Sequence, residues 1–427
     1  MTFRFVHTAD LHLDSPLKSL AAKSESLADM VATRETFQRI CQLCLDEEAE
    51  ALIIAGDLYD SNQTSMKTAA FLARELTRLS DAGIRTFIVR GNHDARSRIT
   101  DQLDLPPAVH MFKSDRRSGA GTETFEARDG RTIAVHGFSF WQEHIEDSLL
   151  KYYKPPDPDA FNIGLMHASL DGASGHEPYA PVSRAELFTH GYDYWALGHI
   201  HKRNAHETEG RHVVMPGIPQ GRHVNEAGTK SVTLVTVTDE GTGTAERVVA
   251  TTTFERLSIS LQDDGDLGDL RKATGAALSA ARVEASTPNL IIRLDAVVGR
   301  DLSWRLSRQP EAFLEAARAE ALPFDGLEIE GAHVALMEPP EAETDGLPLA
   351  ELSASVKAAL SDPMFLEEAD ALIRELVADS QWPDELKLVF GADEESQAAA
   401  IAEFAARGAR RVLAYAADGG EDSEQSG

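Results

Sequence analysis

Carboxylate, amide and imidazole side chains recur in five short blocks of this sequence: DLH, GDLYD, GNHD, GLMHAS and GHIH. The residues in these blocks that could do chemistry are Asp10, His12, Asp57, Asn92, His93, Asp94, His167, His199 and His201. Such a mixture of oxygen and nitrogen donors can hold two divalent metal ions. Two ions of this kind can activate a water molecule against a phosphorus centre. The residue types therefore predict a dinuclear metal site with hydrolytic chemistry.

The spacing within two of the blocks suggests how neighbouring side chains share an ion. Asp10 and His12 are two residues apart, so on an extended segment both side chains point to the same side. His199 and His201 repeat this spacing. Each pair could therefore reach a single ion.

Glycines precede two of the other candidate ligands. Gly56 lets the chain turn tightly as it leaves an apolar run, and Gly91 permits another sharp turn before Asn92. The carboxylate of Asp57 offers two oxygens, so it can bridge two cations. His167 ends its own apolar run in the same manner.

The blocks follow short apolar runs that alternate with amphipathic segments. Residues 29–46 and 65–82 have helical periodicity. The predicted strands are FRFVH, ALIIA, TFIVR, TIAVHGFSF, NIGLMH, DYWALGH, VVMPG and SVTLVTV. Alternating strands and helices predict a layered α/β fold. Sites in such folds collect at the carboxyl ends of strands, so ligands far apart in sequence can meet there.

At 427 residues the chain is too long for one compact core. The region 246–338 has a different pattern, with helices near 267–283 and 309–321 between strands, and reads as a small α+β module. The predicted domains are 1–245 for the site-bearing part, 246–338 for a capping module, 339–349 for a linker, 350–410 for C-terminal helices and 411–427 for a disordered acidic tail.

The net charge of −29 argues against broad nucleic-acid binding. Residues 1–240 have 25 basic and 34 acidic side chains, a balance of −9, whereas residues 241–427 have 16 and 36, a balance of −20. Most of the acidic excess is therefore away from the blocks. No apolar run reaches the roughly 18 residues of a membrane span, and a motif by residue 10 leaves no room for a signal peptide. We therefore expect a cytoplasmic protein.

The two cysteines predict no metal or redox site. Cys41 and Cys44 form a CQLC pair, but no second pair exists to complete a zinc site. Phe37, Ile40 and Leu45 share their helical spacing, so we expect buried core thiols.

Several further residues have an alternative interpretation. We expect Asp60 to have a structural role in bonding nearby backbone, and His7, which precedes Asp10, to be structural as well. His136, His176 and His223 are expected to be satisfied polar groups on loops. An apolar stripe near the C-terminus allows two interpretations, packing onto this protein's own body or docking of a partner. Its members are Phe365, Leu366, Ala369, Leu372, Ile373, Leu376 and Val377.

The five blocks, in this order, resemble the pattern of the calcineurin-like metallophosphoesterase superfamily over roughly residues 1–225. The resemblance implies a β-sandwich flanked by helices, here followed by the capping module and the C-terminal helices. It also implies that one ion binds Asp10, His12, Asp57 and His201, and the other binds Asp57, Asn92, His167 and His199. His93 matches the family residue that contacts the phosphate and aids departure of the leaving group. Asp94 would orient His93.

The ligand types suit Mn²⁺, and Fe or Zn would also fit. The resemblance favours manganese and implies that a hydroxide between the two ions is the nucleophile.

Segments around the ligands narrow the resemblance. HTADLHLDSPL, GHEPYAPVSRAEL, GYDYWALGHIHKR and PGIPQGRHVNEAG are similar to the YhaO-like group of bacterial DNA-repair exonucleases, which is related to the nuclease subunit of SbcCD-type complexes. This similarity implies a manganese-dependent DNA exonuclease. It also implies a homodimer and a coiled-coil ABC-type ATPase partner of the SbcC or YhaN kind, gripped by the C-terminal helices.

Cations beside the blocks could hold a phosphate backbone. The candidates are Arg96, Lys202, Arg203 and Arg222, and ordinary surface cations are the alternative. Two other functions stay open. One is a phosphodiesterase or phosphatase acting on nucleotides or other small phosphoesters. The other is a non-catalytic scaffold, against which the intact ligand set argues.

Overall fold

The structure is a computed structural model of the 427-residue chain. It describes residues 2–60, 65–95, 105–172, 179–261, 264–336, 354–356, 358–360, 362–378, 405 and 408–409. The chain divides into two compact units. The first contains residues 1–16, 30–222 and 228–253, and the second contains residues 17–29, 223–227 and those described from 254 onward.

The first unit is built from two six-stranded sheets. Its strands are β1 (Phe3–Thr8), β2 (Ala51–Ala55), β3 (Arg85–Val89), β4 (Val109–Met111), β5 (Gly121–Glu126), β6 (Thr132–Gly137), β7 (Phe161–His167), β8 (Tyr194–Gly198), β9 (Asn204–Thr208), β10 (Arg211–Met215), β11 (Ser231–Thr238) and β12 (Gly241–Val248). One sheet has the order β12-β11-β1-β2-β3-β4 and the other β5-β6-β7-β8-β10-β9.

The two sheets share an apolar core. Phe5 and Ile53 of the first sheet and Ile163 and Leu165 of the second are fully buried in one cluster. The helices described so far along the chain are α1 (Lys18–Ala21), α2 (Glu25–Asp29), α3 (Thr33–Asp46), α4 (Met66–Asp81) and α5 (Arg184–His190). Helices α3 and α4 cover the outer side of the first sheet, and α5 packs near β10 of the second. This layered arrangement confirms the predicted α/β sandwich flanked by helices.

Helix α3 shows how the sequence pattern becomes packing. Phe37, Ile40, Cys41 and Cys44 recur on one face and are all fully buried in the cluster beneath the first sheet. Both cysteines are free, and burial raises the pKa of each thiol. The prediction of buried core thiols is confirmed.

The second unit has its own core. Strands β13 (Thr252–Ser260), β14 (Asn289–Val298) and β15 (Leu327–Leu336) form a sheet in the order β13-β14-β15, with β14 and β15 parallel. Helices α6 (Leu267–Glu284), α7 (Arg300–Arg308) and α8 (Pro310–Ala321) supply the rest of its apolar cluster. The predicted domain boundary at 245 falls within β12, and the compact units divide after Thr253.

The last described helix is α9 (Pro363–Ala378), which carries the apolar stripe. Phe365 and Leu372 are 41% and 60% exposed on it. The predicted linker 339–349 and tail 411–427 lie outside the described residues. Across the part of the chain that the structure describes, none of the helices combines the length and the apolar character that crossing a membrane requires.

Candidate metal centre

The site lies where parallel strands of both sheets end. Strands β1, β2 and β3 are parallel in one sheet, and β6, β7 and β8 are parallel in the other. Asp10 and Asp57 each lie two residues beyond their strand, His167 ends β7, and His199 directly follows β8. All four side chains therefore leave the sheets at neighbouring carboxyl ends, as the sequence predicts.

The backbone at the ligands is not extended. Asp10, His12, Asp57 and His199 have φ angles of 53°, 40°, 54° and 104°. Side-chain-bearing residues seldom adopt such left-handed conformations, and those that do cluster at functional sites. Asp10 and His12 are brought together by this local backbone, so the extended segment assumed from their spacing is wrong although the pairing itself is present.

Hydrogen bonds hold the ligand loops to one another. The amides of Asp10 and His12 donate to the carbonyls of Gly56 (3.0 Å) and Asp57 (3.1 Å). The amide of His199 donates to both carboxylate oxygens of Asp10, each at 3.1 Å. These hydrogen bonds therefore fix the candidate metal ligands of one sheet relative to those of the other.

Glycine is required at position 91 because neighbouring side chains approach the backbone closely, and not because the chain turns there. Its φ is not positive, but a Cβ there would meet the Asp57 carboxylate and lie 2.8 Å from His167 Cε1 and Nε2. Gly56 does have a positive φ, of 93°, as its predicted turn requires. At Gly91 the missing side chain is what allows Asp57 and His167 to face each other.

One group of donors gathers around His12. Donor atoms of Asp10, His12 and His201 all lie within 4.8 Å of one another. His12 Nδ1 donates to Asp60 Oδ1 at 2.6 Å, so its Nε2 carries the lone pair. That Nε2 lies 3.3 Å from His201 Nε2 and 3.9 Å from Asp57 Oδ2. Burial, and then the charge of Arg222, lower the pKa of His12 to about 4, so the imidazole is neutral.

A second group gathers around His167. Donor atoms of Asp10, Asp57 and His167 lie within 4.8 Å of one another. His167 Nδ1 donates to the Ala55 carbonyl at 2.8 Å, which leaves the Nε2 lone pair facing Asn92 Oδ1 at 2.9 Å. His199 Nδ1 is 3.3 Å from the same oxygen. Burial lowers the pKa of His167 to about 3, so its Nε2 stays unprotonated. This nitrogen and Asn92 Oδ1 are therefore two hydrogen-bond acceptors that face each other.

The site contains buried carboxylates whose negative charge bound cations would compensate. Asp10, Asp57 and Asp94 are at most 1% exposed. Burial, and then the charge of Asp57, raise the pKa of Asp10, and the same causes raise that of Asp94 to about 8. Divalent ions would offset this buried negative charge and separate the opposed lone pairs. The donor set therefore fits divalent ions. The division of ligands between two ions stays a prediction, since Asp10 belongs to both donor groups.

His93 and Asp94 lie beside the ligands. The His93 amide donates to Asp57 Oδ1 at 3.0 Å, and its half-buried ring lies 5.2 Å from that of His12. The Asp94 carboxylate accepts from the amides of Gly91 (2.6 Å) and Leu58 (3.1 Å). Asp94 thus ties two ligand loops together, and its role in orienting His93 stays a prediction.

Asp60 contacts a candidate ligand, which the sequence interpretation did not anticipate. We expected it to bond nearby backbone, but its carboxylate accepts from the Nδ1 of His12 instead. Burial opposes ionisation, yet the hydrogen bond from His12 and the charge of Arg222 hold the pKa of Asp60 below its usual range. A carboxylate behind a ligand histidine fixes the ring and its tautomer. The second aspartate of GDLYD was the only available signal.

The side chains predicted to bind phosphate do not all lie at the site. Arg222 lies at the site, with Nη1 3.4 Å from Asp60 Oδ1 and Nη2 3.5 Å from His201 Nδ1. Arg203 instead contacts Thr233 Oγ1 (2.7 Å) and Glu246 Oε1 (2.9 Å), on strands β11 and β12. Lys202 is exposed, and Arg96 is outside the described residues.

His7, His136 and His223 have structural surroundings. His7 is fully buried between the Tyr194 hydroxyl (2.9 Å) and a backbone carbonyl, and burial lowers its pKa to about 3. His136 is hydrogen-bonded through both ring nitrogens, although it lies on β6 rather than on a loop. His223 lies near the carboxylate of Glu226. His176 is outside the described residues.

The part of the chain that carries the five blocks is similar to known proteins. Residues 3–203 match the family model for the calcineurin-like phosphoesterases, and residues 254–336 match the model for the middle domain of the metallophosphoesterase YhaO. The chain is 34% identical to the uncharacterized metallophosphoesterase YhaO of Bacillus subtilis over 238 residues, which are 55% of this chain and 57% of that protein.

More distant similarity links the chain to DNA double-strand break repair proteins named Mre11. Identity is 27% to that of Methanopyrus kandleri, over 51% of this chain and 49% of that one. It is 25% to that of Sulfurisphaera tokodaii, over 49% and 52%. The chain spans about half the length of the curated relatives it matches. The fold and the family-model match show that residues 3–203 are a calcineurin-like metallophosphoesterase domain.

Proposed function

We propose that this protein is a DNA exonuclease that hydrolyses phosphodiester bonds at a dinuclear metal centre. The observation that carries the proposal is the gathering of seven donor side chains at one edge of the sandwich. Asp10, Asp57 and His167 are at most 1% exposed there, and the pKa of His12 and of His167 is lowered, so each imidazole presents a lone pair. Buried imidazoles in fixed positions with unprotonated nitrogens are suited to binding metal ions.

Two bound ions would supply Lewis-acid charge to the phosphate and a water of lowered pKa as nucleophile. The protein's own contribution is position. Asp57 Oδ2 lies 3.9 Å from His12 Nε2 and 3.5 Å from His167 Nε2, between the two donor groups, so this carboxylate is the bridging ligand in our proposal. Manganese is our proposed metal because the family resemblance favours it. The mixture of imidazole, amide and carboxylate ligands suits Mn²⁺, and Fe or Zn would also fit.

His93 is the proposed proton donor to the leaving oxygen. Its amide is anchored to Asp57, while its ring is half-buried and so remains within reach of a substrate. An imidazole can give a proton to a departing alkoxide or stabilise it by charge. Arg222, which is 17% exposed beside His201, would hold a phosphate oxygen.

DNA is the proposed substrate because the segments around the ligands resemble a nuclease branch, and because relatives of this chain carry the name of a DNA double-strand break repair protein. The alternative substrate class is nucleotides or other small phosphoesters, and the chain's net charge of −29 is the observation that favours it. Salt-sensitive binding of DNA ends separates the two, since phosphate contacts release counterions.

The proposal extends to partners and location. Helix α9 exposes Phe365 and Leu372, which suits docking of a coiled-coil ABC-type ATPase subunit. We also propose a homodimer and a cytoplasmic location. Deleting residues 350–427 should abolish ATPase binding while sparing hydrolysis of a small aryl phosphodiester. A truncated protein that still binds the ATPase would contradict the docking role of these helices.

The decisive experiment is Mn²⁺-dependent cleavage of end-labelled linear DNA by the wild type and by His93→Ala. We expect nucleotide release by the wild type and a loss of about 10²- to 10⁴-fold in the variant, the usual contribution of a general acid. Mn²⁺ titration should show that His93→Ala still binds both ions, because no ligand is removed. Loss of metal from the variant would refute the assignment. Turnover of a small phosphodiester without any DNA cleavage, in the presence of the ATPase, would favour the small-substrate enzyme.

A further inference from the structure

An aromatic wall stands beside the metal centre. The ring of Tyr179 lies 5.2 Å from that of the ligand His199, at an angle of 55°. His144 meets Tyr179 edge-on, at a ring distance of 4.9 Å, and is 44% exposed. Tyr179 itself is half-buried. Neither side chain belongs to the donor groups described above.

The backbone fixes this wall relative to the ligands. Ser169, two residues beyond the ligand His167, donates its amide to the Tyr179 carbonyl at 2.8 Å. The Tyr179 amide donates back to Ser169 Oγ at 3.0 Å. The next amide, of Ala180, donates to the Ile145 carbonyl at 2.6 Å, which joins the segments that carry the two rings. The position of Tyr179 is therefore set by the segment that directly follows the candidate ligand His167.

Hydrolysis does not explain the wall. The donor set is filled without Tyr179 and His144, and His93 is available for proton transfer. An aromatic face is a poor partner for a phosphate, which favours cations and amide donors. It is a good partner for another planar ring, and stacking on it is tolerant of base identity because every nucleobase has a π-face. A phosphodiester bound at the centre has ester groups that extend beyond the ligands, and this wall adjoins one ligand.

We propose that Tyr179, with His144 at its edge, stacks on a nucleobase of the substrate next to the scissile phosphodiester. The wall selects nucleotidyl esters over phosphodiesters that have no base. This inference rests on the proposed phosphodiesterase function and narrows its substrate class.

The test compares two substrates that release the same p-nitrophenolate: thymidine 5′-(p-nitrophenyl phosphate), which has a base, and ethyl p-nitrophenyl phosphate, which has none. Steady-state kinetics are measured for the Mn²⁺-loaded wild type, Tyr179→Leu and Tyr179→Phe. We expect Tyr179→Leu to raise KM for the thymidine ester about tenfold, within the range for loss of one base–aromatic stack. Its KM for the ethyl ester should not change. Tyr179→Phe, which keeps the ring, should behave as the wild type.

The outcomes separate the two claims. Equal KM values of the wild type for the two esters, or a Tyr179→Leu variant impaired equally on both, would overturn the stacking role and leave the phosphodiesterase standing. Absence of hydrolysis of both esters and of DNA would overturn the proposed function, and the inference with it. Unchanged turnover of the ethyl ester by Tyr179→Leu also shows that the variant is folded.

Discussion

Removing the carboxylate of Asp60 should weaken the binding of one metal ion more than that of the other. This side chain accepts the Nδ1 proton of His12 at 2.6 Å and is 22% exposed, while His12 is 1% exposed. In Asp60→Ala the imidazole loses the group that fixes its tautomer and ring plane. Loss of such a supporting partner usually weakens metal binding by about 10- to 100-fold, which is about 1.4–2.8 kcal/mol.

Asp60→Asn tests whether geometry or charge is responsible. The amide oxygen of asparagine can still accept the Nδ1 proton, so the ring stays oriented while the negative charge is lost. We therefore expect a smaller weakening than in Asp60→Ala. Asp239→Ala, which removes an 88% exposed carboxylate paired with Arg131, is the matched control and should leave metal binding unchanged.

Arg222 complicates the comparison, because its Nη1 lies 3.4 Å from Asp60 Oδ1. Without Asp60, the guanidinium loses one neighbouring carboxylate, and its positive charge would repel a nearby cation more strongly. The double variant Asp60→Ala/Arg222→Ala separates the two effects. It should recover part of the lost affinity if repulsion contributes, and none if orientation of His12 is the whole effect.

The assay is calorimetric titration of Mn²⁺ into metal-free protein, which resolves two ions of different affinity. We expect Asp60→Ala to shift the affinity of one ion and to leave the stoichiometry at two. Wild-type affinity for both ions in this variant would show that His12 needs no support from Asp60. If the affinity for both ions fell equally, the variant would have affected the bridging carboxylate rather than His12.

Three further changes test the site and its surroundings. Asp57→Asn should weaken both ions because it removes the bridging charge, and unchanged stoichiometry and affinity on titration would contradict that role. Gly91→Ala should lower the free energy of unfolding by about 1–3 kcal/mol through overpacking against His167. Gly243→Ala should show no such loss in urea denaturation, because an added Cβ there would meet only the Thr236 carbonyl oxygen, at 4.0 Å. Because burial lowers the pKa of His7 to about 3, the unfolded state takes up a proton below pH 6.5 that the folded state does not. Lowering the pH from 7 to 5 should thus cost about 2 kcal/mol through this residue, and His7→Gln should lose less stability over the same range.

The site was largely predictable because its signal is local. Each ligand block directly follows a buried strand, and parallel strands in layered folds end together. The reasons for individual contacts were less accessible. Asp10 and His12 were paired on the assumption of an extended chain, whereas the structure pairs them through left-handed backbone. A period-two pattern does not distinguish these two routes.

Contacts between residues distant in sequence were beyond reach. Asp60 supports a histidine 48 residues earlier, and nothing in GDLYD says which side chain its second aspartate meets. The same limit applies to Arg203. Its partners lie on β11 and β12, far away in sequence, whereas the adjacent Lys202 is exposed. Polar edge strands were also missed: β9 and β12 consist largely of exposed polar residues, so they lack the buried apolar run by which the other strands were found.

The hydrogen bonds that orient the ligands also join the two sheets, and this couples the chemistry of the site to the stability of the fold. His167 belongs to the second sheet, yet its Nδ1 donates to Ala55 at the end of β2 in the first. The amide of His199, after β8, donates to Asp10, after β1. Because these bonds need no metal, His167→Ala should destabilise even the metal-free protein, through an unpaired buried carbonyl and a cavity. Hydrogen bonds and packing within the sandwich thus contribute to the ligand positions, which is the kind of preorganisation that a hydrolytic centre needs.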